Sequence, residues 1–311
     1  MKSLVTGGAG FIGSHLVDRL VDEGHEVLVV DDLSKGHLSR LADARSRGPM
    51  KFHQLDIRSK DLTDVTTKFG PDVMFHLAAQ ASVSASVADP AYDADVNVLG
   101  TLQVLQAARA ASCGRVVFTS TGGAVYGTNV KLPAKETYTK SPDSPYGISK
   151  KIVEDYFRLY RSLYDVDYMI IGPSNVYGPR QDPHGEAGVV AIFSRAMLDG
   201  QRPTIFGDGN QTRDYVYVED VVDALVRAGN TGGGGFLNVG TGVETSVTDL
   251  YSQIASAAGF DRPPIHEAAR PGDVMRSVLD VAAAAQLIGW APFTPLSDGV
   301  TRTVAWFRAN G

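Results

Sequence analysis

The stretch Gly7-Gly-Ala-Gly-Phe-Ile-Gly13 constrains the fold of this chain more than any other. It follows a short apolar segment at Leu4 and Val5 and precedes a helical pattern of Leu16, Val17, Leu20 and Val21. Strand, glycine turn and helix in that order open a dinucleotide-binding βαβ unit. Gly7 permits the tight turn, Gly10 lets a pyrophosphate approach the backbone, and Gly13 lets helix and strand pack closely. The helix N-terminus then offers free N–H groups and a positive dipole end to phosphate. A second strand, Glu26-Val-Leu-Val-Val30, ends at Asp31, about where a carboxylate meets an adenosine ribose.

The alternation continues. A strand at 52–55 runs into Asp56-Ile57-Arg58, a helical stretch covers 62–69, and a buried strand at 73–77 stops at Ala78-Ala79. Small residues at that strand end fit a place where a ligand lies against backbone. A helix follows near 95–111, a strand at 115–120 and a helix at 146–163. This order predicts an α/β fold: a Rossmann-type, doubly wound parallel sheet covered on both faces, with ligands above the strand ends. After about residue 174 the regular alternation lapses. Residues 168–171 read as a strand, 172–180 as loop, 189–198 as a helix, and Phe236-Leu-Asn-Val239 as a late strand. We therefore expect a nucleotide-binding domain at 1–173, with later segments near 214–242 returning to it. Residues 174–213 and 243–311 form a smaller C-terminal substrate-binding lobe.

Composition narrows the function classes. A net charge of −6 gives no basic surface for nucleic acid, and the single cysteine, Cys113, excludes an internal disulfide framework and a Cys-cluster metal site. His76 on an apolar strand reads as a packed core histidine, and His184 lies in a loop with no cluster around it, so no metal is expected. The first strand begins almost at Met1, leaving no room for a signal peptide, and no apolar run approaches ~20 residues. The expectation is a soluble cytoplasmic protein.

Chemistry enters at Tyr146-Gly-Ile-Ser-Lys150. The i, i+4 spacing puts Tyr146 and Lys150 on one helix face, where an ammonium would stabilise a phenolate and lower the tyrosine pKa. Beside a nicotinamide, such a tyrosine is a general base for an alcohol proton. The strand end Thr119-Ser120-Thr121 supplies a hydroxyl donor nearby.

With these motifs assembled, the chain resembles the extended short-chain dehydrogenase/reductases, and among them the nucleotide-sugar 4-epimerases. The resemblance rests on Thr6-Gly-Gly-Ala-Gly-Phe-Ile-Gly13, His76-Leu-Ala-Ala79, Asn97-Val-Leu-Gly-Thr101, Val125-Tyr-Gly127, Tyr146-x-x-x-Lys150, Asn175-Val-Tyr-Gly-Pro-Arg180, Thr212-Arg-Asp-Tyr215 and Arg270-Pro-Gly-Asp273. It covers nearly the whole chain. It implies NAD as cofactor, held by Gly7, Gly10, Phe11, Ile12, Gly13, Asp31, Asp32, Asp56, Ile57, Leu77, Ala78, Ala79, Asn97, Tyr146, Lys150 and Pro173. Asp31 would hold the adenosine ribose and repel the 2′-phosphate of NADP. Asp56 and Ile57 would face the adenine, and Lys150 would also bind the nicotinamide ribose. For a UDP-sugar, Asn175 would bind the sugar nucleotide, Arg213 and Arg270 its pyrophosphate, and Asp273 its ribose, while Ser277 would border the C2 substituent. Arg180 reads as a structural ion-pair partner.

One departure matters. Where the family usually carries Ser or Thr, this chain has Gly122, so the hydroxyl facing the sugar O4 must come from Thr121 or, less readily, Ser120. The same loop, Gly122-Gly-Ala124, lacks the acidic residue that related dehydratases and uronate decarboxylases carry there, which disfavours elimination. The resemblance therefore implies reversible 4-epimerisation of a UDP-hexose, UDP-glucose/UDP-galactose before the N-acetyl forms. The alternatives are a UDP-glucuronate or other NDP-sugar 4-epimerase and, from another class, a non-catalytic NAD-binding regulator. It also implies a homodimer paired through the helices near 95–111 and 146–163.

Overall fold

Apolar, β-branched runs supply the strands of a sheet that is buried on both faces. The computed structural model of the chain describes residues 1–184, 188–270 and 274–310. Its strands are β1 (Lys2–Thr6), β2 (Glu26–Asp31), β3 (Met50–Gln54), β4 (Val73–His76), β5 (Arg115–Thr119), β6 (Asp167–Pro173), β7 (Asn175–Tyr177), β8 (Thr204–Phe206), β9 (Thr212–Arg213), β10 (Tyr215–Tyr217), β11 (Phe236–Val239), β12 (Thr245–Ser246), β13 (Ile265–Glu267) and β14 (Arg276–Ser277). Helices are α1 (Phe11–Asp22), α2 (Ala42–Arg47), α3 (Asp61–Phe69), α4 (Val83–Ala88), α5 (Pro90–Ala94), α6 (Gly100–Ala110), α7 (Pro145–Tyr164), α8 (Val189–Leu198), α9 (Val218–Asn230), α10 (Val247–Ala258), α11 (Ala282–Ile288) and α12 (Leu296–Asn310).

Seven of the strands form one parallel sheet in the order β11-β6-β5-β4-β1-β2-β3. The order in which strands are added reverses between β1 and β4, the point above which a doubly wound sheet opens its ligand crevice. Helix α1 turns Leu16, Val17, Leu20 and Val21 onto one face, in a core shared with Val221 and Leu225 of α9. On the other face α3, α6 and α7 bury Leu62, Val104, Leu105, Val153 and Phe157. The fold class is therefore the expected Rossmann-type sheet.

His76 is more than a packed core histidine. Its Nδ1 lies 2.8 Å from Thr6 Oγ1 and its Nε2 2.9 Å from Thr101 Oγ1, which ties β1, β4 and α6 together. Burial drives its imidazole down to about 3, so it is neutral at physiological pH.

Two local expectations are corrected. The segment at 172–180 is not all loop: β6 runs on to Pro173, and Asn175–Tyr177 form β7 beside β10. Gly172 extends β6 because the Phe236 ring lies where its Cβ would be, with Cζ 2.3 Å from that point. Pro173 closes the strand as its final residue, where it pairs with Val239. The helix expected near 95–111 begins at Pro90 and passes through a π-helical turn at Asp95–Leu99 before α6.

Beyond the sheet, α8, α10 and α12 enclose a separate core of Phe193, Met197, Leu250, Ile254, Val300 and Val304. A three-stranded sheet, β12-β9-β14, stands at its edge. No helix among the described residues is long and apolar enough to cross a membrane.

Candidate active site

The glycine turn is a cradle that side chains would fill. Gly7 has φ +71°, and a Cβ there would stand 2.6 Å from Ala78 N. A Cβ on Gly13 would lie 2.1 Å from Gly7 O. Gly10 is the N-cap of α1 and makes no side-chain cap, so the first-turn N–H groups of Phe11, Ile12 and Gly13 have no capping side chain. This fits a pyrophosphate.

Asp31 closes the end of β2 against the same turn. One carboxylate oxygen accepts Ala9 N–H at 2.9 Å and the other accepts Leu33 N–H at 2.9 Å, while burial raises its pKa. Each oxygen keeps a lone pair for a hydroxyl. Asp32 is exposed and accepts from Ser34 N–H and Oγ–H. Asp56 is engaged by Arg58, whose Nε lies 3.0 Å from each carboxylate oxygen, and that hydrogen bonding lowers its pKa. Ile57 is buried against Gly100. Leu77, Ala78 and Ala79 are half-buried after β4. Asn97 is buried, with its Oδ1 accepting Gln80 N–H and its amide donating to Gln80 O and Asp93 Oδ1. Two of these bonds hold the chain after Ala79, and the third ties Asn97 to Asp93 of α5.

Tyr146 and Lys150 stand together at the start of α7, beside the end of β5. Ser144 caps this helix, its Oγ accepting Gly147 N–H, and Pro145 occupies the first turn. Lys150 is buried, with Nζ donating to Thr119 O at 2.9 Å and lying 5.9 Å from the centre of the Tyr146 ring. Burial pushes the Lys150 ammonium down to about 7, with Asp93 opposing. The expected lowering of Tyr146 is reversed by its surroundings. Burial raises its pKa, and Asp93 adds to the rise.

The two candidate hydroxyls part company. Ser120 is buried and its Oγ–H faces Glu154 at 3.4 Å. Glu154 is itself ion-paired with Lys140, a partly buried pair that the sequence reading missed because 14 residues separate its members. Thr121 is half-buried, and its Oγ1 accepts Ala124 N–H at 3.2 Å, which leaves its proton to donate.

In the separate three-stranded sheet, β9 pairs with β14 so that Ser277 lies opposite Arg213. Asp214, fully buried, accepts Thr241 N–H, Thr241 Oγ–H and Gly242 N–H, fixing the loop beside them. Asn175 is exposed at the start of β7, and Arg270 is exposed with its guanidinium 3.8 Å from the Phe206 ring centre. Asp273 lies outside the described residues. Arg180 pairs with Asp18 at 2.7 Å. No group of three or more metal-binding side chains occurs among the described residues.

Gly122 has a steric cause. A Cβ there would lie 2.4 Å from Leu279 Cδ1 and 2.7 Å from Gly172 O. Leu279 is buried two residues after Ser277, and both line a small recess with Gly122 and Tyr126. A hydroxyl-bearing residue at 122 is therefore incompatible with Leu279 as it packs here.

The sequence profile of the NAD dependent epimerase/dehydratase family matches residues 3–240. A UDP-glucose 4-epimerase of Mycolicibacterium smegmatis is 53% identical over 309 residues, 99% of each chain. Among solved structures, a Thermotoga maritima UDP-glucose 4-epimerase with UDP-glucose superposes with a TM-score of 0.95 at 43% identity, covering 100% of this chain and 99% of that one. A UDP-N-acetylglucosamine 4-epimerase of Methanobrevibacter ruminantium, in complex with UDP-N-acetylmuramic acid, gives a TM-score of 0.95 at 33% identity, with 100% and 99% covered.

The Gly122 contact can be measured. Gly122→Ser should destabilise the fold by about 1–3 kcal/mol through overpacking. Leu279→Ala in the same chain should recover part of that, so urea unfolding of the double variant should show less loss than the two single losses added. Strict additivity would separate Gly122 from Leu279.

Proposed function

Since the chain belongs to the NAD dependent epimerase/dehydratase family, we propose that it interconverts the 4-epimers of a UDP-hexose, UDP-glucose and UDP-galactose first. The observation that carries this reading is the Tyr146–Lys150 pair beside Thr121, next to a loop, Gly122-Gly-Ala124, with no side chain able to transfer a proton. Such a site supports removal and return of one alcohol proton and lacks the second acid–base group that elimination requires. UDP-glucuronate or another NDP-sugar remains the alternative substrate.

In this reading α1 binds the cofactor pyrophosphate through its first-turn N–H groups, and Asp31 takes the adenosine ribose. Asp32, Asp56, Ile57, Leu77, Ala78, Ala79 and Pro173 border the cofactor, while Asn97 acts by placing the Gln80 backbone. When bound, NAD supplies the acceptor for the C4 hydride and a pyridinium charge that favours tyrosinate. Tyr146 takes the O4 proton and later returns it. Thr121 donates a hydrogen bond to O4, and Ser120 holds Glu154 instead. Lys150, with one proton committed to Thr119 O, has two left for the nicotinamide ribose. Arg213 and Arg270 retain the pyrophosphate while the 4-keto sugar turns over, with Asn175 and Asp273 on the nucleotide. We assign residues 174–213 and 243–311 to the substrate-binding lobe, apart from α11 and Trp290, which pack in the sheet core with α9, and we assign the enzyme to the cytoplasm.

Tyr146→Phe tests the reading directly. Incubated with UDP-sugars and no added NAD, the variant should keep its bound cofactor and lose ~10²–10⁴-fold in kcat. Thr121→Ala should cost more than Ser120→Ala. A Phe variant within tenfold of wild type would reject the base.

We further propose that Ser277 admits an N-acetyl group at C2. It is small, half-buried and opposite Arg213 at the recess by Gly122. Wild type should turn over UDP-N-acetylglucosamine, and Ser277→Tyr should lose that substrate before UDP-glucose, overpacking costing about 1–3 kcal/mol. Equal turnover of both sugars by the variant would remove Ser277 as a gate.

We also propose a homodimer. Along α7, Ile148, Ile152, Leu159 and Leu163 are exposed, and Leu99 is exposed on the helix beside it. Leu102 is half-buried and Leu105 and Tyr160 face the core. An apolar stripe on two adjacent helices fits pairing with its symmetry mate as a four-helix bundle. Light scattering at micromolar concentration should show a dimer that Leu159→Lys with Leu163→Lys splits; a monomeric wild type would refute it.

A further inference from the structure

Asp93 is fully buried on α5 and, among the described residues, has no ion-pair partner. A carboxylate in that position needs donors on all sides to offset its lost hydration. Its Oδ1 accepts Gln80 Nε2–H and Asn97 Nδ2–H, both at 2.9 Å, and its Oδ2 accepts Ser149 Oγ–H at 2.7 Å. Ser149 lies between Tyr146 and Lys150 on α7, so the hydrogen bond grips the helix within one turn of both. A second contact acts at the same helix end: Tyr146 N–H donates to the buried Ser86 Oγ of α4 at 3.1 Å.

We propose that Asp93 is the positioning residue for Tyr146 and Lys150: its buried carboxylate tethers α7 through Ser149 and serves as the counter-charge to the Lys150 ammonium. This rests on the assignment of Tyr146 as the base.

The surroundings of Lys150 leave that role to Asp93. From β5 come the Thr119 carbonyl and the Phe118 ring, 4.5 Å from Nζ, and from β4 comes neutral His76. On α7 itself, burial favours the neutral phenol of Tyr146, and Glu154 is taken by Lys140. Asp93 opposes the burial that lowers Lys150, and it adds to the burial that raises Tyr146. The signs follow from charge. Without Asp93 the ammonium loses its proton at lower pH and the phenol also ionises at lower pH. Both limbs of the activity profile then move to acid.

The test compares wild type, Asp93→Asn, Ser149→Ala and Tyr146→Phe, each checked for circular dichroism and bound NAD(H). For Asp93→Asn, the pH profile of kcat should move to lower pH by about one unit or more. An ultraviolet difference titration, with Tyr146→Phe as reference, should show the Tyr146 phenolate forming at lower pH as well. Ser149→Ala keeps the charge and drops the tether, so kcat should fall severalfold with the profile in place and KM for the UDP-sugar unchanged. An Asp93→Asn profile that superposes on wild type after vertical scaling overturns the counter-charge. If Asp93→Asn does not fold, Ser149→Ala decides the tether: wild-type kcat overturns it and with it the proposal, and a lowered kcat with an unmoved profile upholds it. If Tyr146→Phe remains active, the base assignment falls and takes this inference with it. An inactive Tyr146→Phe beside an unmoved Asp93→Asn defeats the counter-charge and leaves the base assignment standing.

Discussion

The site depends on how closely the turn after β1 approaches the end of β4. A side chain at Gly7 would meet the Ala78 backbone, and one at Gly13 would meet Gly7 O. The floor of the crevice is therefore main chain from two adjacent strands. Asp31 holds the same turn from the β2 side through Ala9 N–H, and Thr6 with His76 braces it from β4. Since α1 starts directly from this turn, a shift of one strand would re-aim the helix N-terminus. The reversal of strand order at β1 and β4 explains why a crevice forms there. The glycines explain why it is narrow enough for backbone to do the binding.

Above that floor the reactive pair is balanced against burial. A lone tyrosinate would be expensive in this setting, and burial raises the Tyr146 pKa. Lys150 is brought near neutrality by the same burial. A pair in this condition changes charge readily when an adjacent positive charge arrives, which suits a base that must take up and give back one proton per turnover. Ser120 and Thr121 divide the neighbouring work. The first faces the Lys140–Glu154 pair behind β5, and the second keeps a proton free on the open side.

What could be read in the sequence was whatever depends on local chain geometry. The glycine spacing, the carboxylate ending β2 and the i, i+4 spacing of Tyr146 and Lys150 are short-range constraints, and the structure shows the turn, the strand end and the shared helix face. The course of β6 past Ile171 was hidden because Gly172 and Pro173 are poor strand formers on their own. They extend because Phe236 packs over Gly172 and β11 lies alongside. The rise in the Tyr146 pKa was hidden for a different reason, since spacing reports which charges are near but not how much water is excluded. Gly122 looked like a lost hydroxyl until Leu279 was seen to occupy its side-chain space, a contact across 157 positions that no local pattern carries. Asp93 had a faint local signal, four residues before Asn97, the pair that now shares a hydrogen bond.

Asp93 belongs to a set. Asp214 and Asp220 are also fully buried, and both are held by N–H and O–H donors: Asp214 by Thr241 and Gly242, Asp220 by Phe293 and Thr294. Neutral donors give a buried carboxylate direction without adding an opposite charge. That distinction matters most beside Lys150. An arginine paired with Asp93 would satisfy the carboxylate equally well, but it would cancel the field felt at the ammonium and place a second cation near it. The glutamine, asparagine and serine around Asp93 avoid both effects. The Lys140–Glu154 pair, which faces Ser120 from behind β5, is nearly self-neutralising and so can be buried close by with little effect on that field. The polarity of the donors around each carboxylate, rather than the number of charges, thus sets which buried group acts electrostatically on the reactive pair and which serves only to hold the chain.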